Sequence, residues 1–159
     1  MLRRASVASV LAIVLTQGTP ANATDQVYAT ADGAIGGYDP VAYFTEGRAV
    51  VGLAGIQHQW NGAHWRFATV ANRNAFAADP DRYAPQYGGY CAYGTASGYK
   101  VSTSPDAFAI HDGKLYLNYN VAVQRTWNKD RSGYIATADG NWPGLRDQPY
   151  DSDEASTQR

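Results

Sequence analysis

The stretch Gln86-Tyr87-Gly88-Gly89-Tyr90-Cys91-Ala92-Tyr93-Gly94 holds the only cysteine of this 159-residue chain, set among three tyrosines and three glycines. A thiolate is both a nucleophile and a soft metal ligand. Glycine lets the backbone turn and lets other groups approach closely, while tyrosine offers an apolar ring with a hydroxyl at its tip. Two chemistries are therefore open to Cys91. It can hold a soft ion such as copper, supplied by a metal-donor protein, or it can act as a catalytic redox nucleophile. A redox cycle through sulfenic acid or a mixed disulfide needs an outside reductant protein, because no second cysteine resolves it. The plain alternative is a small buried hydrophobe. A cysteine hydrolase is disfavoured, since no histidine stands in a recognisable catalytic context.

Three histidines are the only imidazoles. Asn61-Gly62 between two alternating segments signals a two-residue hairpin. That register sets Trp60 opposite Ala63, Gln59 opposite His64, His58 opposite Trp65 and Ile56 opposite Phe67. Alternation turns Ile56, His58, Trp60, Ala63, Trp65 and Phe67 to the core and Gln57, Gln59, His64 and Arg66 to solvent. His58 and His64 thus point apart and do not share a metal. The candidate metal ligands are Cys91 with the inward His58 and with His111, which lies in a turn. A third reading is a non-catalytic protein-binding module that meets its partner through an aromatic surface.

These residues need elements to carry them. Thr69 is placed to cap a helix over Val70 to Ala78, stopped by Asp79-Pro80. Tyr99-Lys100-Val101 reads as a strand. Phe108 to Ile110 and Leu115 to Leu117 form a second hairpin around His111-Asp112-Gly113-Lys114, and Asn118 or Asn120 caps a final helix from Val121 to about Lys129. Tyr134 to Ala138 adds a further turn. Asp39 and Asp112 read as turn formers that bond to local backbone. The expected fold is α+β: small antiparallel hairpins packed with two short helices in a single domain, with no internal repeat and no linker.

The N-terminus has the pattern of an export signal: Arg3 and Arg4, an apolar run from Val7 to Leu15, then Ala21-Asn22-Ala23. Cleavage after Ala23 leaves 136 of the 159 residues and removes two of the 13 basic residues but none of the 14 acidic ones, so the net charge moves from −1 to −3. The expected product is soluble and periplasmic, with no membrane span after cleavage. A mildly acidic chain without a basic cluster argues against nucleic acid. The boundaries are then 1–23 for the signal, 24–33 for a loose lead-in, 34–146 for the domain and 147–159 for a polar tail.

Asp39-Pro40-Val41, then Trp60-Asn61-Gly62-Ala63-His64-Trp65-Arg66-Phe67, then Phe76 and Asp79-Pro80-Asp81-Arg82-Tyr83 follow one another in a way that resembles the YHS domain family, over roughly residues 37–85. The family's metal-type cysteines match Ala42, Ala68 and Asn72, so its usual metal does not carry over at those positions. The second half, with Gln86 to Gly94, Gly98-Tyr99-Lys100-Val101 and Asp112 to Tyr119, resembles an exported subgroup of YHS proteins that includes selenoprotein members. Cys91 matches the selenocysteine of that subgroup. The resemblance implies a nucleophilic or soft-metal role for its sulfur.

Overall fold

The structure is a computed structural model that describes residues 25–150; the expected signal at 1–23 and the segment 151–159 lie outside the described residues. Its order is β1 (Ala29–Thr30), β2 (Gly33–Ala34), α1 (Ala42–Thr45), β3 (Leu53–Trp60), β4 (Ala63–Phe67), α2 (Val70–Ala78), α3 (Pro80–Tyr83), α4 (Ala92–Ala96), β5 (Ser104–His111), β6 (Lys114–Asn118), α5 (Val121–Trp127) and α6 (Arg131–Leu145). The fold is α+β, with three two-stranded antiparallel sheets, β1–β2, β3–β4 and β5–β6. Six helices stand among the described residues where two were expected. The additions are mostly single turns, and α6 extends well beyond the turn expected at Tyr134. No helix among the described residues is long and apolar enough to cross a membrane.

Both hairpins turn as their sequences dictate. Asn61 and Gly62 have φ of 48° and 76°, and Asp112 and Gly113 have 49° and 72°, the left-handed pair that a tight hairpin turn requires. Pairing from Trp60–Ala63 to Gln57–Arg66 follows the expected register, but Phe67 faces Leu53 instead of Ile56 because three residues bulge out of β3. Gly52 precedes the bulge. It lies so close to the Arg66 backbone that a Cβ would sit 2.5 Å from the Arg66 carbonyl carbon. Ile56 still packs inward against the core. Tyr99–Val101 is not a strand, since its backbone serves other partners: the Cys91 N–H donates to the Val101 carbonyl and the Tyr99 N–H to that of Gly94.

The two hairpins belong to a structural repeat. Advancing by 51 residues maps the Leu53–Phe67 pair onto Ser104–Asn118, the bulge onto the bulge, and Gln57–Arg66 onto Phe108–Leu117. The same step maps Thr69, which caps α2 through the Asn72 N–H, onto Asn120, which caps α5 through the Val123 N–H. It maps Asp79, which caps α3, onto Asp130, which caps α6. Upstream the offset is 52: Ile35-Gly36-Gly37-Tyr38 matches Tyr87-Gly88-Gly89-Tyr90. Both run through three consecutive residues of positive φ, 46°, 70° and 78° in one and 56°, 62° and 86° in the other.

The halves stack asymmetrically. In the first, Trp65, Phe67 and Phe76 are buried while Gln57, Gln59 and His64 face solvent. In the second, both faces of β6 are buried. Leu115 and Leu117 join the first half's core, and Tyr116 packs with Trp127 in a second core under α5 and α6. The β5–β6 sheet is therefore the middle layer, which explains its two-sided apolar sequence. Both ends of the domain are stitched in as well. Val27 is buried, the Tyr28 N–H donates to the Gly88 carbonyl at 2.9 Å, and the Tyr150 N–H donates to the Asp25 carboxylate at 2.8 Å. Asp25 and Tyr150, near the two ends of the described residues, are thereby held together.

Candidate functional site

Cys91 is 1% exposed. Its sulfur accepts from the Gly94 N–H at 3.4 Å and the Tyr119 N–H at 3.2 Å, and its thiol points at Asn118 Oδ1 at 3.7 Å. The same Asn118 oxygen accepts from the Tyr93 N–H at 3.3 Å. Burial pushes the Cys91 thiol pKa up, against the pull of the Gly94, Tyr119 and Tyr93 N–H groups. A thiol held above its ordinary value is protonated at neutral pH and is a poor nucleophile.

The repeat supplies a control for this geometry. Asp39 stands in the first half where Cys91 stands in the second, one residue after the Gly-Gly-Tyr turn. It is fully buried. Oδ1 accepts from the N–H groups of Val41 and Ala42 at 2.9 and 3.3 Å, and Oδ2 from the Ala68 N–H at 2.8 Å and Asn72 Nδ2 at 2.7 Å. Ala68 and Tyr119 are repeat equivalents, each following the second strand of its hairpin. Carboxylate and thiol thus make one and the same joint, from a turn to a helix start three residues on and to the end of a hairpin. Asp39 does bond to local backbone as its sequence suggested, and it also reaches across the fold. The positions at which the family resemblance would put cysteines, Ala42, Ala68 and Asn72, all donate to this carboxylate.

The histidines are placed elsewhere. His58 sits edge-on to Phe76, ring centres 6.2 Å apart, on the first hairpin. His111 pairs with Lys114 at the turn of the second hairpin and lies 3.6 Å from Asp112. Cys91 meets β6 at its other end, beside Asn118. Asn118 lies four steps along the strand from Lys114, about 13 Å at the usual rise. His64 is exposed, as expected. Among the described residues no group of three or more His, Cys, Asp or Glu side chains is close enough to share a metal ion.

No family model, no curated protein and no solved structure matches the chain.

Two features escaped the sequence reading. Lys100, 9% exposed, donates through Nζ to the carbonyls of Asp25, Arg146 and Gln148 at 2.7, 3.0 and 2.6 Å. It lies over the rings of Tyr90 and Trp142 at 4.9 and 5.8 Å. Burial pulls its pKa down, and Asp25 and Asp147 raise it in part. Its place after Gly98-Tyr99 carried no sign of this clamp. The second feature is a pair of clefts that share Val27 and Asn61. One, of about 340 Å³, lies between the first hairpin's polar face and residues 29–33 and holds the Asp32–Arg66 ion pair at 3.1 Å. The other, of about 100 Å³, is walled by Trp60, Trp65 and Trp142.

Proposed function

We propose that this protein is a non-catalytic binding domain in which Cys91 is a structural joint. The observation that carries this reading is the equivalence of Cys91 and Asp39. A sulfur accepting from Gly94 and Tyr119, the equivalents of two of the four donors to the buried Asp39 carboxylate, is accounted for by folding alone. Its burial and raised pKa support the same reading, and the tryptophan-walled cleft supplies a surface for a ligand. The exported soft-metal protein, with copper on Cys91 aided by His58 and His111, rests on the sulfur and on the family resemblance. The thiol oxidoreductase rests on the same two supports.

Thiol reactivity separates these readings. A disulfide reagent such as dithionitrobenzoate should modify folded protein far more slowly than urea-unfolded protein, and copper(I) should not change the rate. If native Cys91 reacts as fast as a free thiol, or if one equivalent of copper(I) protects it, the binding-domain reading falls and sulfur chemistry replaces it.

A further inference from the structure

The tryptophan-walled slot lies where the repeat is broken. In the second half, the helix after Asp130 continues for fifteen residues, Arg131–Leu145. In the first half, its counterpart after Asp79 stops after four, at Tyr83, and Ala84 turns to an extended backbone at φ −63° and ψ 139° ahead of Pro85. A residue before proline is pushed out of the helical region, so Pro85 ends α3. The long α6 reaches over from the other half and brings Trp142 to the tryptophans of the first hairpin.

Each wall of the slot comes from a different part of the chain: Trp60 and Trp65 from the first hairpin, Pro85 and Gly88 from the connection, Trp142 from α6, and Val27 from the N-terminal segment. Trp65 is fixed by its indole N–H, which donates to the Trp60 carbonyl at 3.1 Å. Gly88, at φ +62°, brings its backbone so close to Gln26 that a Cβ would lie 1.8 Å from the Gln26 carbonyl oxygen. Gln26, Asn61 and Arg146 stand at the rim. The slot's volume of about 100 Å³ is below the roughly 150 Å³ of an enclosed apolar cavity that takes benzene, so a single ring enters only in part and keeps one edge at the open mouth. Arg146 is half exposed and shares its guanidinium with the equally exposed Asp147 at 3.3 Å. Asp147 also accepts from Gln26 Nε2 at 2.6 Å, so an incoming carboxylate competes with Asp147; a guanidinium presents five N–H donors, and those not turned to Asp147 can take the anion by a charge-assisted bond.

We propose that this slot binds a small carboxylate carrying a flat apolar ring, with the ring between Trp60 and Trp142 and the carboxylate on Arg146. The inference rests on the binding-domain reading and names the ligand class of that domain. Sites of this kind, apolar walls with a few converging polar groups, favour the seams between structural units.

The test uses benzoate as probe and benzamide as its uncharged counterpart, with binding followed by saturation-transfer NMR and by the fluorescence of the three slot tryptophans. Saturable benzoate binding is expected, with benzamide about tenfold weaker or worse. Arg146→Gln should lower benzoate to the level of benzamide. Trp142→Ala should abolish binding of both while Trp142→Phe retains it, with thermal melts checking that each variant is folded. No saturable benzoate binding, or undiminished binding by folded Arg146→Gln, overturns the proposal. If benzoate fails while native Cys91 stays unreactive, the slot assignment falls alone. If Cys91 reacts freely, the binding-domain reading falls.

Discussion

At the scale of single residues, the two joints differ in what they lose on mutation. Cys91→Ser keeps an acceptor for the Gly94 and Tyr119 N–H groups, whereas Cys91→Val keeps the volume and removes it. A buried donor left unsatisfied costs about 1–3 kcal/mol. Urea midpoints should therefore place Cys91→Val well below Cys91→Ser, and equal midpoints would deny the sulfur its role as acceptor. Asp39→Ala strands four donors at once, those of Val41, Ala42, Ala68 and Asn72. It should cost about 3 kcal/mol or more, measurable as one of the largest losses in a scan of the domain. Asp39→Asn keeps only part of the acceptor capacity and should fall between.

At the scale of elements, the glycines of the turns separate local conformation from tertiary fit. Gly113 has φ +72° with open space around its Cβ position, so Gly113→Ala meets only the left-handed backbone and should cost about 1 kcal/mol. Gly88 has a similar φ, but a methyl group there would drive into the Gln26 carbonyl. Gly88→Ala should therefore detach the N-terminal segment. Hydrogen exchange would show this as lost protection at Tyr28 and Ile35, whose N–H groups donate to Gly88 and Tyr28. Protection there unchanged from the parent would mean that the segment is not held by this contact.

For the whole molecule, the interleaving of the halves predicts one cooperative transition. Leu115 and Leu117 serve the first core while Tyr116, between them on the same strand, serves the second, so neither half can lose the middle sheet and keep its own interior. Alkaline pH probes that shared interior. Burial is the leading cause that raises the pKa of Tyr28, Tyr43, Tyr87, Tyr90 and Tyr116 above the ordinary 10.0, and that of Cys91 above 9.0. Above those values the unfolded chain has released protons that the folded chain still binds, so stability is present below them and falls as pH rises. Lys100 acts in the opposite direction, because its folded value is lowered from 10.5, but one lysine stands against six groups. Urea midpoints taken from about pH 8 to about pH 11 should hold and then decline. A rise across that range would contradict the burial of these hydroxyls.

The amino-acid sequence determined the parts of this protein that local physics governs. Asn61-Gly62 and Asp112-Gly113 set two hairpins, Thr69 and Asn120 set two helix starts, and alternation along β3 and β4 separated Trp65 from His64. The tertiary structure decided that these parts form a repeat. Over the hairpin-to-helix stretch that the 51-residue step aligns, only Gly62 and Gly113, Val70 and Val121, Ala71 and Ala122, Asp79 and Asp130, and Tyr83 and Tyr134 are identical. Bulge, cap and turn geometry can be written in many residue types, so the likeness of the halves lies in backbone angles and not in letters. The role of Cys91 was hidden for a related reason. Its partners are the main-chain N–H groups of Gly94 and Tyr119, which carry no side-chain signature, and its equivalence to Asp39 exists only when the two turns are superposed. The slot is the furthest from the sequence, because it needs residues 26, 60, 85 and 142 together, and only the stacking of one half on the other brings them there.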